Sequence, residues 1–465
     1  MYSSHNFLLD VDSYKLSHYK QYPPGTTNVS SYVESRGGKF DETVFFGIQA
    51  WIKKNVLSPI TKENRDEFVE IVEAHGFEPN VEDIDYIIEE HNGYLPLEIQ
   101  AVPEGSVIPT RNVLAQIVNT DERVPWLTSY VETSFLRSIW YPTTVATLSR
   151  EVKKIIYAAL VKTSDNPDEE IMFKLHDFGA RGATSEEAAA LGGMGHLINF
   201  MGTDTLSAIV AAKRFYHADM AGFSIPASEH STITSWGMTG EKDAYANMLK
   251  QFGGDGKLVA CVSDSYDIYN AVDQIWGNEL QEAVQKSGGT LIVRPDSGDP
   301  VTMPIEVIER LMEKFGYTVN SKGYKVLPNY VRVIQGDGIH IDDIKSILDV
   351  MESRTLAADN IAFGMGGGLL QKVDRDTQKF AMKASAVKID GEWRDVFKDP
   401  ISDRGKTSKK GRQALIYKEG VGYRTVPADT VSGEEMQCSV MQTVYRNGTL
   451  YVDDDFETIR NRAKL

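Results

Sequence analysis

Residues 361–372 read IAFGMGGGLLQK, a short apolar run that breaks into glycines and then resumes as a helix-forming segment. Glycines let a backbone approach closely, and N–H groups ahead of a helix cradle phosphate. The position of this stretch in the chain decides between two folds. In a Rossmann sheet the glycine-rich turn follows the first strand and opens the first helix. Here it closes a series of seven such runs.

The earlier six are IMFKLHDFGARG (171–182), LINFMGTD (197–204), FSIPASEH (223–230), LVACVSDSYD (258–267), TLIVRPDSGD (290–299) and VRVIQGDG (331–338). Segments with helical periodicity lie between them, among them EKDAYANMLKQF (241–252), PIEVIERLMEKFG (304–316) and IDDIKSILDVME (341–352). From Asp264 to Asp296 to Asp337 to Gly366 the steps are 32, 41 and 29 residues, the size of a βα unit. Near-continuous apolar strands suit a parallel sheet covered on its outer face. The expected fold is therefore α/β, an irregular (β/α) barrel over 166–385. Residues 1–165 and 386–465 mix short strands, helices and hairpin-like pairs. They predict a β-rich α+β domain built from both termini.

Composition narrows the function. With 49 Lys+Arg against 66 Asp+Glu, the net charge is −17, which argues against general nucleic-acid binding. No apolar run reaches the ~18–20 residues of a membrane span, and the N-terminus lacks signal-peptide features. Two cysteines, Cys261 and Cys438, exclude a disulfide framework. A cytoplasmic setting with no membrane partner is the expectation.

Barrel enzymes work at the C-terminal ends of their strands. Those ends supply His176, Asp177, Phe178 and Arg181; Asp204; Glu229 and His230; Asp264; Arg294, Asp296 and Asp299; Asp337; and Gly366, Gly367 and Gly368. By itself SEHST (228–232) reads as a cluster capping a helix, and a glycine-rich loop as a tight turn. Polar ends on consecutive units point instead to one site. Arg294 suits phosphate, and several carboxylates facing phosphate need a hard cation between them, so a Mg²⁺–phosphate substrate is expected. The P-loop, HExxH and GxSxG patterns are missing. Lys174 and Lys383 have no supporting cluster for Schiff-base chemistry.

Further blocks are DSYKLSHYKQYPP (12–24), LPLEIQAVPEG (95–105), SIPASEHSTIT (224–234), VSDSYDIYNA (262–271), IVRPDSG (292–298) and VFKDP (396–400). With KLHDFGARG (174–182), VIQGDG (333–338) and the opening stretch, the chain resembles the nicotinamide phosphoribosyltransferases, within the type II phosphoribosyltransferases, over nearly its whole length. The resemblance implies transfer of phosphoribose from phosphoribosyl pyrophosphate to nicotinamide in NAD salvage, with Mg²⁺ and with ATP coupled through a phosphohistidine at His230. It implies that Phe178, and Tyr14 from a second subunit, sandwich the pyridine ring. Asp204 would take the carboxamide and repel a carboxylate, with Arg181 near the ring. Gly336, Asp337, Gly338, Gly366 and Gly367 would meet the ribose and its phosphate. Arg294, Asp296 and Asp264 would lie at the pyrophosphate, Mg²⁺ and histidine, and Glu229 or Asp264 would orient the imidazole. Arg36, Arg375, Lys383, Lys398 and Lys406 would hold pyrophosphate or nucleotide phosphates, several of them across a homodimer.

Three positions depart from the family's pattern: Ala260 where a serine lies near the carboxamide, Ala180 for an aromatic, and Met365 for a serine. The rival readings are nicotinate phosphoribosyltransferase, a non-catalytic nicotinamide mononucleotide sensor, and a Mg²⁺-dependent barrel lyase or hydrolase.

Overall fold

The structure, a computed structural model, describes residues 6–402 and 407–465. The chain divides into two compact units, one of residues 1–147, 212–218 and 374–464, the other of 148–211 and 219–373.

The second unit is built on six parallel strands: β1 (Leu175–Asp177), β2 (Gly202–Thr203), β3 (Leu258–Val262), β4 (Thr290–Arg294), β5 (Val331–Gln335) and β6 (Ile361–Met365). Their order is β2-β1-β6-β5-β4-β3. The remaining run, FSIPASEH, forms no ladder because Pro226 has no N–H to donate. It still bridges both open edges. Phe223 N–H donates to Met201 O at 2.7 Å beside β2, and Ala260 N–H of β3 donates to Pro226 O at 2.9 Å. Two isolated parallel bridges, Gly202 with Phe223 and Ala227 with Ala260, thus curl the sheet into a ring in chain order. The barrel reading holds, and its irregularity has a cause in one proline.

Helices follow the strands as their periodicity predicts. Thr302–Phe315 buries Ile305, Ile308, Leu311, Met312 and Phe315, and Ile341–Ser353 buries Ile344, Ile347, Leu348 and Met351. Each such side chain contributes roughly 1.5–3 kcal/mol when fully buried. The sequence reading passed over one helix, Glu186–Leu197, whose glycine-rich run blurs the amphipathic pattern. Ser185 caps it, its hydroxyl accepting the Ala188 N–H at 3.1 Å.

The first unit carries a seven-stranded antiparallel sheet ordered Glu392–Asp395, Phe380–Ile389, Thr26–Ser35, Val113–Asn119, Leu97–Ala101, Gln442–Arg446 and Thr449–Leu450. Both ends of the sequence build it: three strands from the N-terminal part lie together at its centre, flanked on each side by two from the C-terminal part. Asn447 (φ 48°) and Gly448 (φ 82°) turn its last hairpin, the left-handed pair that matches strand twist. Its core gathers Tyr32, Trp51, Leu97, Ile117, Phe135 and Tyr445. Among the described residues no helix is long and apolar enough to cross a membrane.

Candidate active site

Because the six strands run parallel, the residues that end them emerge on one side of the sheet. There an open cleft of about 630 Å³ is lined by Phe178, Ala180, Arg181, Gly182, Asp204, Arg294, Asp296, Gly336, Asp337, Gly366, Gly367 and Gln371. Nine of these were expected at the site from the sequence reading. Gly182 and Gln371 were not, and Ala180 entered the sequence reading only as a departure.

Phe178 is held by its backbone, the N–H donating to Met365 O at 3.0 Å. Its ring lies on the bare backbone of Gly364. A Cβ added there would stand 1.9 Å from Phe178 Cε2, and one added at Gly336 would stand 3.0 Å away. These glycines serve the aromatic wall as well as any phosphate cradle. Asp204, exposed, donates its N–H to Asp177 O at 3.0 Å and accepts the Ser224 hydroxyl on Oδ1. Asp177 is buried beneath it, and burial pushes its carboxyl up to about 6 against the opposing Gly179 N–H at 2.7 Å.

The histidine stands beside the cleft. Its Nε2 is 3.0 Å from Asp264 Oδ1, and its Nδ1 is 3.8 Å from Asp296 Oδ2. The Asp264 side chain is only 4% exposed. It keeps its position through Oδ2, which accepts the Asp296 N–H at 3.1 Å and the Ser297 hydroxyl. Glu229 does not reach the imidazole. Its carboxylate accepts from Ser231, and its N–H donates to Thr232 Oγ1 at 3.2 Å, which caps the short helix His230–Thr234. The capping reading of SEHST is thus correct for Glu229 and incomplete for His230.

Arg294 Nη2 lies 3.7 Å from Asp296 Oδ2, while its buried Nε has no partner among the described residues. An unpaired buried guanidinium N–H calls for an anion. Burial raises the Asp337 carboxyl, and the neighbouring Asp296 and Asp264 raise it further. Asp299 turns away, capping the next helix through the Thr302 N–H at 2.8 Å. Gly338 takes φ 63° in the turn after β5. Lys174 sits at the opposite end of the strands, buried against Glu170 and Asp359 O, away from any strand-end chemistry.

Tyr14, Arg36, Arg375, Lys383 and Lys398 belong to the first unit. Tyr14 is 59% exposed. Burial holds the Lys383 ammonium below its usual value, and Arg36, Lys398 and Arg375 push the same way against Glu132. Four cations separated in sequence therefore share one electrostatic neighbourhood. Lys406 lies outside the described residues.

Residues 173–449 match the model of the nicotinate phosphoribosyltransferase (NAPRTase) family, and residues 6–99 match that of the nicotinamide phosphoribosyltransferase N-terminal domain. The chain is 52% identical over 460 residues to a nicotinamide phosphoribosyltransferase of Xanthomonas campestris, covering 98% of each chain. It belongs to the nicotinate and nicotinamide phosphoribosyltransferase family. A nicotinamide phosphoribosyltransferase of Acinetobacter baylyi is 31% identical, covering 98% of this chain and 97% of its own. Solved structures show the same fold at low identity. Nicotinate-nucleotide pyrophosphorylase from Pyrococcus furiosus superposes with a TM-score of 0.61 at 17% identity, covering 100% of this chain and 96% of its own. Human nicotinic acid phosphoribosyltransferase gives 0.56 at 14%, covering 97% and 92%. The family's type II architecture, a curled parallel sheet with a separate antiparallel one, is the architecture found here.

Two positions that sequence reasoning missed, Ser297 and Ser224, each neighbour a predicted carboxylate in space. Ser297 follows Asp296 directly in RPDSGD and could have been included on that ground. Ser224 meets Asp204 only across the bridged strands, with no sequence signal.

Proposed function

We propose that this chain transfers the phosphoribosyl group of phosphoribosyl pyrophosphate to nicotinamide, giving nicotinamide mononucleotide and pyrophosphate. The observation that carries the reading is one cleft shared by an aromatic wall (Phe178), an acidic side chain (Asp204), a buried arginine (Arg294) and a glycine turn (Gly366 and Gly367). Relatives covering nearly the whole chain and named nicotinamide phosphoribosyltransferase support the amide over the acid.

The pyridine nitrogen is unprotonated near neutral pH and attacks ribose C1 without a general base. The C1–O bond breaks, and its electron pair leaves with pyrophosphate. Phe178 fixes the plane of the ring, and Asp204 accepts from the carboxamide NH₂. Asp296 and Asp337 offset the positive charge that develops on the sugar, and Arg294 binds the departing anion. The donor set fits Mg²⁺ held mainly through substrate phosphates. Asp264, Asp296 and Asp337 lie within mutual electrostatic range, yet no group of three His, Cys, Asp or Glu among the described residues is placed to hold a metal alone. When bound, Mg²⁺ neutralises the pyrophosphate leaving group.

ATP enters through His230. Asp264 engages Nε2 and keeps the proton there, which leaves Nδ1 to attack the γ-phosphorus as ADP departs. Water then releases inorganic phosphate and restores the imidazole. The added charge beside Asp296 and Arg294 changes affinity for the pyrophosphate site, which couples the two reactions. Arg36, Arg375, Lys383 and Lys398 serve phosphates, and exposed Tyr14 closes the ring sandwich of a second subunit in a homodimer. Free Cys261 and Cys438 suit the reducing cytoplasm.

The test is product analysis by mass spectrometry with phosphoribosyl pyrophosphate, Mg²⁺ and either base, with and without ATP. Nicotinamide mononucleotide, increased by ATP, is expected. Product from nicotinate alone would move the chain to the sister activity, and no product from either base would leave a mononucleotide sensor.

A further inference from the structure

The cleft has two walls that come from distant parts of the sequence. The turn after β1 carries Phe178 and Arg181, and the turn after β6 carries Gly366 and Gly367. One side chain spans them. Gln371 Nε2 donates to the carbonyl oxygen of Gly179 at 3.0 Å, one residue past the aromatic wall. Its Oε1 lies so close to the backbone on both sides that an added Cβ would stand 2.7 Å from it at Gly182 and 3.5 Å at Gly367.

The same segment closes the contact from below. A Cβ at Gly179 would meet Leu370 Cγ at 2.6 Å, so Gly179 sits directly on the Leu370 side chain. Gln371 in turn is anchored to the glycine turn, its N–H donating to Gly367 O at 3.0 Å. The Gln371 side chain and backbone therefore join the two walls. Oε1 is buried without a partner among the described residues, so the side chain holds the first wall through the single bond to Gly179.

We propose that Gln371 is a positioning residue that couples the two half-sites, so that occupation of the phosphoribosyl wall orders the aromatic wall and strengthens binding of the pyridine ligand. The proposal rests on the reading of the cleft as a nicotinamide and phosphoribosyl pyrophosphate site. It adds a specific cause for cooperative binding: the Phe178 N–H bond to Met365 O ties only the strand ends, whereas a displacement of the glycine turn beyond them is transmitted to the Gly179 carbonyl, and hence to Phe178, through the Gln371 amide. By linkage the effect is reciprocal.

The test uses the full chain and benzamide, which keeps the ring and carboxamide of nicotinamide and lacks the nucleophilic nitrogen, so no turnover depletes the ligands. Benzamide affinity is measured by calorimetry with and without saturating phosphoribosyl pyrophosphate and Mg²⁺, for wild type, Gln371→Ala and Gln371→Met. The methionine variant retains volume without the donor, and thermal melts identify any variant that fails to fold. Wild type is expected to bind benzamide at least fivefold more tightly when phosphoribosyl pyrophosphate is present. In both variants that ratio is expected to fall to within twofold of unity, with benzamide affinity in the absence of phosphoribosyl pyrophosphate changed much less. A folded Gln371→Met variant that keeps the wild-type ratio overturns the proposal, as does a wild type whose ratio is one while both ligands bind. If wild type binds neither ligand, the underlying reading of the site fails and the coupling fails with it.

Discussion

Asp264 Oδ1 lies 3.0 Å from His230 Nε2, while Oδ2 of the same carboxylate accepts the backbone N–H of Asp296 at 3.1 Å. One buried side chain therefore sets the imidazole's tautomer and holds the residue on the imidazole's other side. Replacing Asp264 with Asn removes the charge and permits the amide to present a donor to Nε2. Phosphoryl transfer to His230, followed as protein-bound label from γ-labelled ATP, is expected to slow by on the order of 10²-fold or more. Wild-type labelling in Asp264→Asn would remove the carboxylate from that role, and any label retained by His230→Ala would place the phosphoryl group elsewhere.

Asp204 faces the cleft with a negative charge, and Ser224 donates to it. Asp204→Asn exchanges an acceptor-only group for one that can also donate to a carboxylate. The ratio of kcat/KM for nicotinamide over nicotinate should fall by about tenfold or more, mostly through gain on nicotinate. Competition assays with both bases in one reaction read this ratio directly, and an unchanged ratio removes Asp204 as selector.

Gly364 lets the Phe178 ring rest on backbone, where an added methyl would stand 1.9 Å from Cε2. Gly364→Ala must tilt the ring or shift β6, at a cost of about 1–3 kcal/mol. The KM for nicotinamide is expected to rise about tenfold, with a smaller change in the KM for phosphoribosyl pyrophosphate. A crystal structure of the variant with Phe178 unmoved would contradict this.

Glu104 is buried beside the Gly47 N–H and accepts from Tyr216 Oη at 3.1 Å, and burial pushes its carboxyl up to about 7. A carboxyl raised in the folded state stabilises the fold when protonated. That contribution is complete below the unfolded value near 4.5 and is lost as pH rises through about 7. Glu104→Gln keeps the acceptor without the titration. Relative to the variant, wild type should lose on the order of 3 kcal/mol of stability between pH 4 and pH 8, read from urea unfolding at each pH. Parallel pH profiles would show that Glu104 does not titrate in this range.

The order of strand-like runs and the polar residues that end them were legible in the sequence, because each is a local pattern of apolar spacing and its interruption. Seven runs, a closing glycine turn and the identities of Phe178, Asp204, Arg294, Asp296 and Asp337 all follow from residues within a few positions of one another. Which carboxylate serves His230 did not follow. Glu229 is adjacent in sequence but turns to cap its own helix, while Asp264, 34 residues away, arrives on the next strand. The dual use of Gly364, the Ser224–Asp204 bond and the Gln371 strut were likewise invisible, since each depends on two strand ends brought side by side. Sequence alone determined which chemical groups this protein carries to the end of its barrel. Tertiary structure decided which of them touch, because hydrogen bonds and ring contacts act over a few ångströms and parallel pairing joins strand ends that lie tens to hundreds of residues apart.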